Sequence, residues 1–146
     1  MAITRKTIIK ILIGMGLLVF LFLALIIFSV LYESKKDVSK QLPYSMFLNK
    51  PQALKEASTI RWNKTNLRFK HYSLVVGEAS HFNSEDVKSV KIYQPGDKIT
   101  FYKAKMYYSI HVDKTYYLIG RDTLDSGEII EFEYYYSSSD TSVLWQ

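Results

Sequence analysis

Cysteine is absent from this 146-residue chain. That excludes a disulfide framework, a thiolate-ligated zinc or iron–sulfur centre and a cysteine nucleophile. It also excludes a lipid-modified N-terminal cysteine. Histidine is nearly absent, with His71, His81 and His111 far apart in the chain. No two histidines lie at ligand-like spacing, and His111 and Asp113, two apart and able to share a strand face, are expected to be separated by a turn, so no metal is expected. The few glycines form neither a phosphate loop nor G-x-G-x-x-G before a helix, and no G-x-S-x-G is present. No nucleotide cofactor and no serine-hydrolase nucleophile is therefore expected. The sequence assigns no catalytic residue, and the protein is read as a non-enzyme.

Charge is missing from one long stretch. Ile11–Tyr32 holds 22 residues without an acidic or basic side chain. A helix of that length reaches about 33 Å at 1.5 Å per residue, against a hydrocarbon core of about 30 Å. No stripe of this helix is polar, which argues against a buried core helix. It is too long for the apolar part of a cleaved signal peptide, and Phe28–Tyr32 offers no small-residue cleavage site. Residues 1–34 are expected to be a cytosolic head and a single-pass transmembrane anchor that meets the lipid bilayer through Ile11–Tyr32. Gly14 and Gly16 are two apart, so they do not make the four-residue spacing of a helix-dimer motif. Arg5, Lys6 and Lys10 precede the span, and Lys35, Lys36 and Lys40 come after it. Counting positive charges is therefore nearly a tie. The short head and the larger region beyond the span favour an extracytoplasmic domain.

Beyond the span, charge is unevenly distributed. Residues 33–70 carry nine Lys/Arg and three Asp/Glu, whereas residues 71–146 carry seven and eleven. Residues 35–65 are expected to form a basic neck, with a short helix starting at Pro51, where proline suits the first helical position. Asn63-Lys64-Thr65 is formally a glycosylation triplet. The basic residues show no nucleic-acid-binding motif, so no nucleic acid is expected as a partner.

From residue 66 to 146 the pattern is that of strands. Leu67–Val76, Val87–Tyr93, Lys98–Ala104, Met106–Val112, Thr115–Gly120 and Glu128–Tyr136 are rich in β-branched and aromatic residues or alternate in polarity. Pro95-Gly96-Asp97 is a turn by its chemistry, and Asp113-Lys114 is expected to be another. Leu67 and Phe69 are out of phase with Tyr72, Leu74 and Val76, which a β-bulge near His71 would reconcile. The fold class is thus an N-terminal transmembrane helix plus an all-β, mainly antiparallel meander. That meander is expected to close into a small barrel or sandwich. Phe101, Ile110, Ile130 and Phe132 are the expected core, and residues 66–136 are expected to fold without the anchor.

Tyrosine is the unusual feature. Nine of twelve tyrosines lie between Tyr93 and Tyr136. In Tyr107-Tyr108 and Tyr134-Tyr135-Tyr136, alternation sends one set of rings to the core and the other to the second face. That second face is expected to carry Tyr102, Tyr107, Glu131, Glu133 and Tyr135, with His111 nearby. Tyrosine and arginine anchor protein–protein contacts, so these residues are the candidate protein-binding site. Asp122, Asp125 and Glu128 share a loop but lack the calcium-loop register. The expected role is a non-enzymatic accessory or scaffold subunit of a cell-envelope complex. The alternatives are a membrane-anchored inhibitor or immunity protein, or a ligand sensor.

Overall fold

The computed structural model describes residues 5–137. Its first element is α1 (Arg5–Leu31), a single 27-residue helix. At 1.5 Å per residue it extends about 40 Å. It is long and apolar enough to cross a membrane, and none of its side chains is buried by the protein.

Eight strands come after it: β1 (Glu33–Asp37), β2 (Pro51–Ala53), β3 (Ser58–Asn63), β4 (Tyr72–Val76), β5 (Val87–Tyr93), β6 (Lys98–Ser109), β7 (Val112–Thr123) and β8 (Ile129–Tyr136). They form one mainly antiparallel sheet in the order β1-β6-β7-β8-β4-β3-β5, with β2 also on β6. The path has two ends and the sheet is not closed. Nor is it a plain meander, because β8 lies beside β4 in space, and that pair is parallel.

The expected neck is part of this sheet. In place of the helix expected from Pro51, β2 pairs Pro51 with Thr100 and Ala53 with Lys98. Leu54 is fully buried; its N–H donates to the Asp97 carbonyl at 2.9 Å, and the Gly96 N–H donates to the Leu54 carbonyl at 2.7 Å. Tertiary pairing overrides the weak local helical preference here. Thr59 and Ile60 in β3 are β-branched and fully buried, which suits a strand. Val38, Tyr44, Leu48, Leu54 and Ile60 all join the main core.

The strand expected from Leu67 begins only at Tyr72. Residues 64–71 form a loop, which removes the need for a bulge near His71. A phase slip occurs in β6 instead. Phe101 and Ala104 are three apart, yet both lie in the core, so the alternation slips between them. A register shift also separates Ile60 from Arg61 in the β3–β5 pair. The expected turn at Pro95–Asp97 is present, with Gly96 at φ +94°. The β6–β7 turn falls on Ile110 and His111, ahead of the expected Asp113-Lys114. The Val112 N–H donates to the Ser109 hydroxyl at 3.2 Å across that turn. Ile110 therefore sits at a hairpin tip, 54% exposed, and is not core.

Three expected core residues are in place. Phe101 and Phe132 are wholly buried and Ile130 is 2% exposed. The two phenylalanine rings meet edge-on with centroids 5.9 Å apart, and Tyr134 lies 6.1 Å from Phe101. Gly120 stands directly across the ladder from Phe132. The ring occupies the space a Cβ at Gly120 would need.

Candidate functional site

Alternation along β8 sends Ile130, Phe132, Tyr134 and Tyr136 into the core and Glu131, Glu133 and Tyr135 to the other face. Register then fixes their neighbours on β7: Arg121 opposite Glu131, Ile119 opposite Glu133, and Tyr117 opposite Tyr135. The five candidate residues do not share one degree of exposure. Tyr135 is 53% exposed, Tyr102 and Glu131 are half-buried, and Tyr107 and Glu133 are each only 3% exposed. His111 is exposed at the β6–β7 turn.

Glu133 is buried because residues 64–71 are tied to it. Its Oε1 accepts from the Arg68 N–H at 3.2 Å, and its Oε2 accepts from the N–H groups of Phe69 at 2.6 Å and Lys70 at 2.8 Å. Three successive backbone donors around one carboxylate form a compact anion nest. The carboxylate satisfies amides that would otherwise lack a ladder partner. Glu133 is thus a strut under the loop, not an exposed contact residue.

Glu131 is similarly committed. Its Oε2 accepts from the Lys70 ammonium, and its Oε1 accepts from the Tyr102 hydroxyl at 2.6 Å and from Arg121 at 3.0 Å. These donors, Lys70 foremost, hold its carboxyl down at about 2. The Tyr102 phenol is pushed up to about 12, chiefly by burial and then by its bond to Glu131. Two glutamates on one face suggest acid–base chemistry, but here the carboxylate oxygens of both are taken up by structural donors.

Aromatic rings and cations cover the rest of this face. The Arg68 guanidinium lies 4.6 Å from the Tyr107 ring centre, and the Lys35 Nζ lies 6.0 Å from it. Lys35 and Lys105 approach the Phe69 ring at 5.8 and 4.8 Å. Arg121 covers Tyr102 at 5.2 Å. Phe69 packs edge-on against Tyr117 at 5.4 Å, and Tyr117 against Tyr135 at 5.7 Å. Such cation–ring contacts each contribute about 0.5–1 kcal/mol at exposed sites. Beside them is a groove of about 550 Å³, bounded by Leu67, Arg68, Val75, Tyr117, Glu133 and Tyr135.

Arg121 has a sequence signal that ending its strand at Gly120 conceals. The β7–β8 ladder is symmetric about Ser126, so centring the turn on Asp125-Ser126-Gly127 pairs Arg121 with Glu131. Arg68, Phe69 and Lys70 carry no comparable signal, because a loop's placement over a sheet leaves no periodic trace.

Asp122 does not join Asp125 and Glu128 in a cation site. Its Oδ2 accepts from the Lys91 ammonium at 2.7 Å and from the Tyr93 hydroxyl. Burial raises its pKa, but these bonds and the Thr123 N–H bring it below the usual carboxylate value. Among the described residues no three of His, Asp and Glu assemble as a metal site. The Asn63 amide of the glycosylation triplet donates to the His71 carbonyl at 3.1 Å and to the Ser73 hydroxyl at 3.3 Å. Comparison with family models, with curated protein sequences and with solved structures found no match.

Proposed function

We propose that this chain is a single-pass membrane protein whose β-domain lies outside the cytoplasm. The domain serves, without enzymatic activity, as an accessory or scaffold subunit of a cell-envelope complex. α1 is the anchor in this reading. The contacts of Asp122 on β7 with Lys91 and Tyr93 on β5 support reading the open sheet as a partly rolled barrel.

The observation that carries the recognition role is the division of labour on the second face. Glu131, Glu133 and Tyr107 are occupied in holding the sheet and its loop. Tyr135 is left exposed beside Tyr117, Arg68 and the groove. Exposed tyrosine and arginine around a concave apolar wall are the usual anchors of a protein contact. The binding residues proposed are therefore Tyr135, Tyr117 and Arg68, with the Tyr102–Glu131 pair bracing the sheet beside them.

The test is co-purification of the full-length protein from detergent-solubilised membranes. Wild type is expected to bring down a stoichiometric envelope protein. Tyr135→Ser is expected to lose it while keeping the wild-type melting temperature. Equal recovery of the partner by this variant would refute the recognition face.

A further inference from the structure

The parallel junction of β4 and β8 is unusually short. Tyr72 pairs with Phe132 and Ser73 with Glu133, and the ladder then stops. β4 continues for three more residues, Leu74, Val75 and Val76, and these pair with β3 through Ile60, Thr59 and Ser58. Among the described residues, no ladder covers the other edge of Leu74–Val76. Each residue of a strand has one N–H and one C=O, and those of alternate residues point to opposite neighbours. The groups in this half of β4 that point away from β3 thus lie along an open edge inside the sheet.

The groove lies along this edge. Ser73, Leu74 and Val75 form one wall, Glu133, Tyr135 and Tyr117 the other, and Asn66, Leu67 and Arg68 close the end. Its volume of about 550 Å³ falls within the roughly 300–1,000 Å³ of ligand-binding clefts. Val75 and Leu67 make it apolar, and Tyr135 and Tyr117 give it rings.

Its charge is one-sided. Glu133 faces the groove, but three backbone donors take up its carboxylate. Among the described residues no carboxylate lies within salt-bridge distance of Arg68, Lys35 or Lys105. Arg68 is exposed at the groove's end, and the two lysines stand over the adjoining Phe69 ring. Burial and the neighbouring positive charges of Lys103 and Lys70 lower the pKa of Lys105.

We propose that the Leu74–Val76 edge of β4 binds an extended acidic segment of a partner protein by strand addition. The segment's backbone bonds to β4, its apolar side chains of one parity enter the groove against Val75 and Tyr135, and acidic side chains of that same parity, next to the apolar ones, meet Arg68, Lys35 and Lys105. Main-chain bonding supplies affinity and the alternate side chains supply selectivity in this mode of recognition. The proposal rests on the reading of the domain as a protein-binding module and specifies how it binds.

The experiment selects a random phage-displayed peptide library against full-length protein in detergent micelles. Amide hydrogen exchange is then measured with each selected peptide. The expected peptides carry apolar and acidic residues at positions two apart, and they slow exchange by about ten-fold or more at those amides of Leu74–Val76 that point away from β3. Arg68→Glu is expected to weaken them by about ten-fold or more, with Arg68→Lys retaining most of the binding. No selected peptide, basic peptides, or binding without protection at β4 would each overturn the proposal. Protection already complete without peptide would assign the edge to this chain itself, through a second copy or its own residues 138–146, and would also overturn it. The two readings fail separately. Partner loss in Tyr135→Ser without protection at β4 sinks strand addition alone. Protection at β4 with undiminished partner recovery in Tyr135→Ser sinks the tyrosine face alone.

Discussion

Gly120 and Phe132 show how one missing side chain positions a core. The phenylalanine ring lies over the glycine across the ladder, and Phe132 is wholly buried, so neither has room to move. Gly120→Ala should destabilise the domain by about 1–3 kcal/mol through overpacking. Phe132→Ala should cost about 3–5 kcal/mol through the cavity it leaves. Thermal melts of the two variants check both, and an unchanged Gly120→Ala melt would mean the ring does not lie where described. Glu131 gives a pH prediction. Its folded pKa, about 2, is below the ordinary value of 4.5. Protonation therefore favours the unfolded chain. The stabilisation is fully present above about 4.5 and is lost as pH falls toward about 2. In Glu131→Gln, stability should fall less steeply over this window than in wild type, as read by urea melts at successive pH values. Tyr102 works the other way. Its folded value of about 12 lies above the ordinary 10.0, so its contribution is present below 10.0 and lost as pH rises toward 12.

Elements, unlike single residues, differ in how plainly the sequence announces them. α1 and β8 are legible because each has one strong period or none: 22 residues without charge in one case, strict alternation in the other. β6 reads as two strands because its alternation slips between Phe101 and Ala104, and β7 reads as ending at Gly120. β1, β2 and β3 do not read as strands. They are short, they lie in a basic stretch, and β2 and β3 are held by pairing with residues distant in sequence, such as Thr100 and Val76. The loop at 64–71 resembles a strand because Leu67 and Phe69 mimic a half-buried edge. Its actual restraint is Glu133, which has no local signature in that loop. Replacing Glu133 with glutamine removes the charge that three amides share. The loss of even one buried, satisfied donor costs about 1–3 kcal/mol. Exchange at the Arg68, Phe69 and Lys70 amides should accelerate in Glu133→Gln before exchange in β7 does. Unchanged protection of those three amides would show that the loop is held by its rings alone.

For the β-domain as a whole, the parallel β4–β8 junction determines which part of the chain folds as a unit. β5 pairs with β3, and β3 joins β5 to β4. A fragment of residues 66–136 would carry β4 and β5 but not the strand between them. It would also lack Val38, Tyr44, Leu48, Leu54 and Ile60, five members of the main core. The alternation of the later strands alone suggests that such a fragment suffices, because each has a complete apolar face. A complete face still needs a cover, and that cover comes from the stretch that reads as a linker. The five missing residues are each less than 9% exposed in the intact domain. Losing an apolar side chain of that burial costs about 1.5–3 kcal/mol. Their sum is comparable to the whole stability of about 5–15 kcal/mol that a small domain has. Residues 66–136 should therefore fail to melt cooperatively, whereas a fragment beginning at Ser34 should give a single cooperative transition. Circular dichroism of both fragments decides the matter. A cooperative melt of the shorter one would mean that β4 and β5 find another partner when β3 is gone, and that the basic stretch is a tether after all.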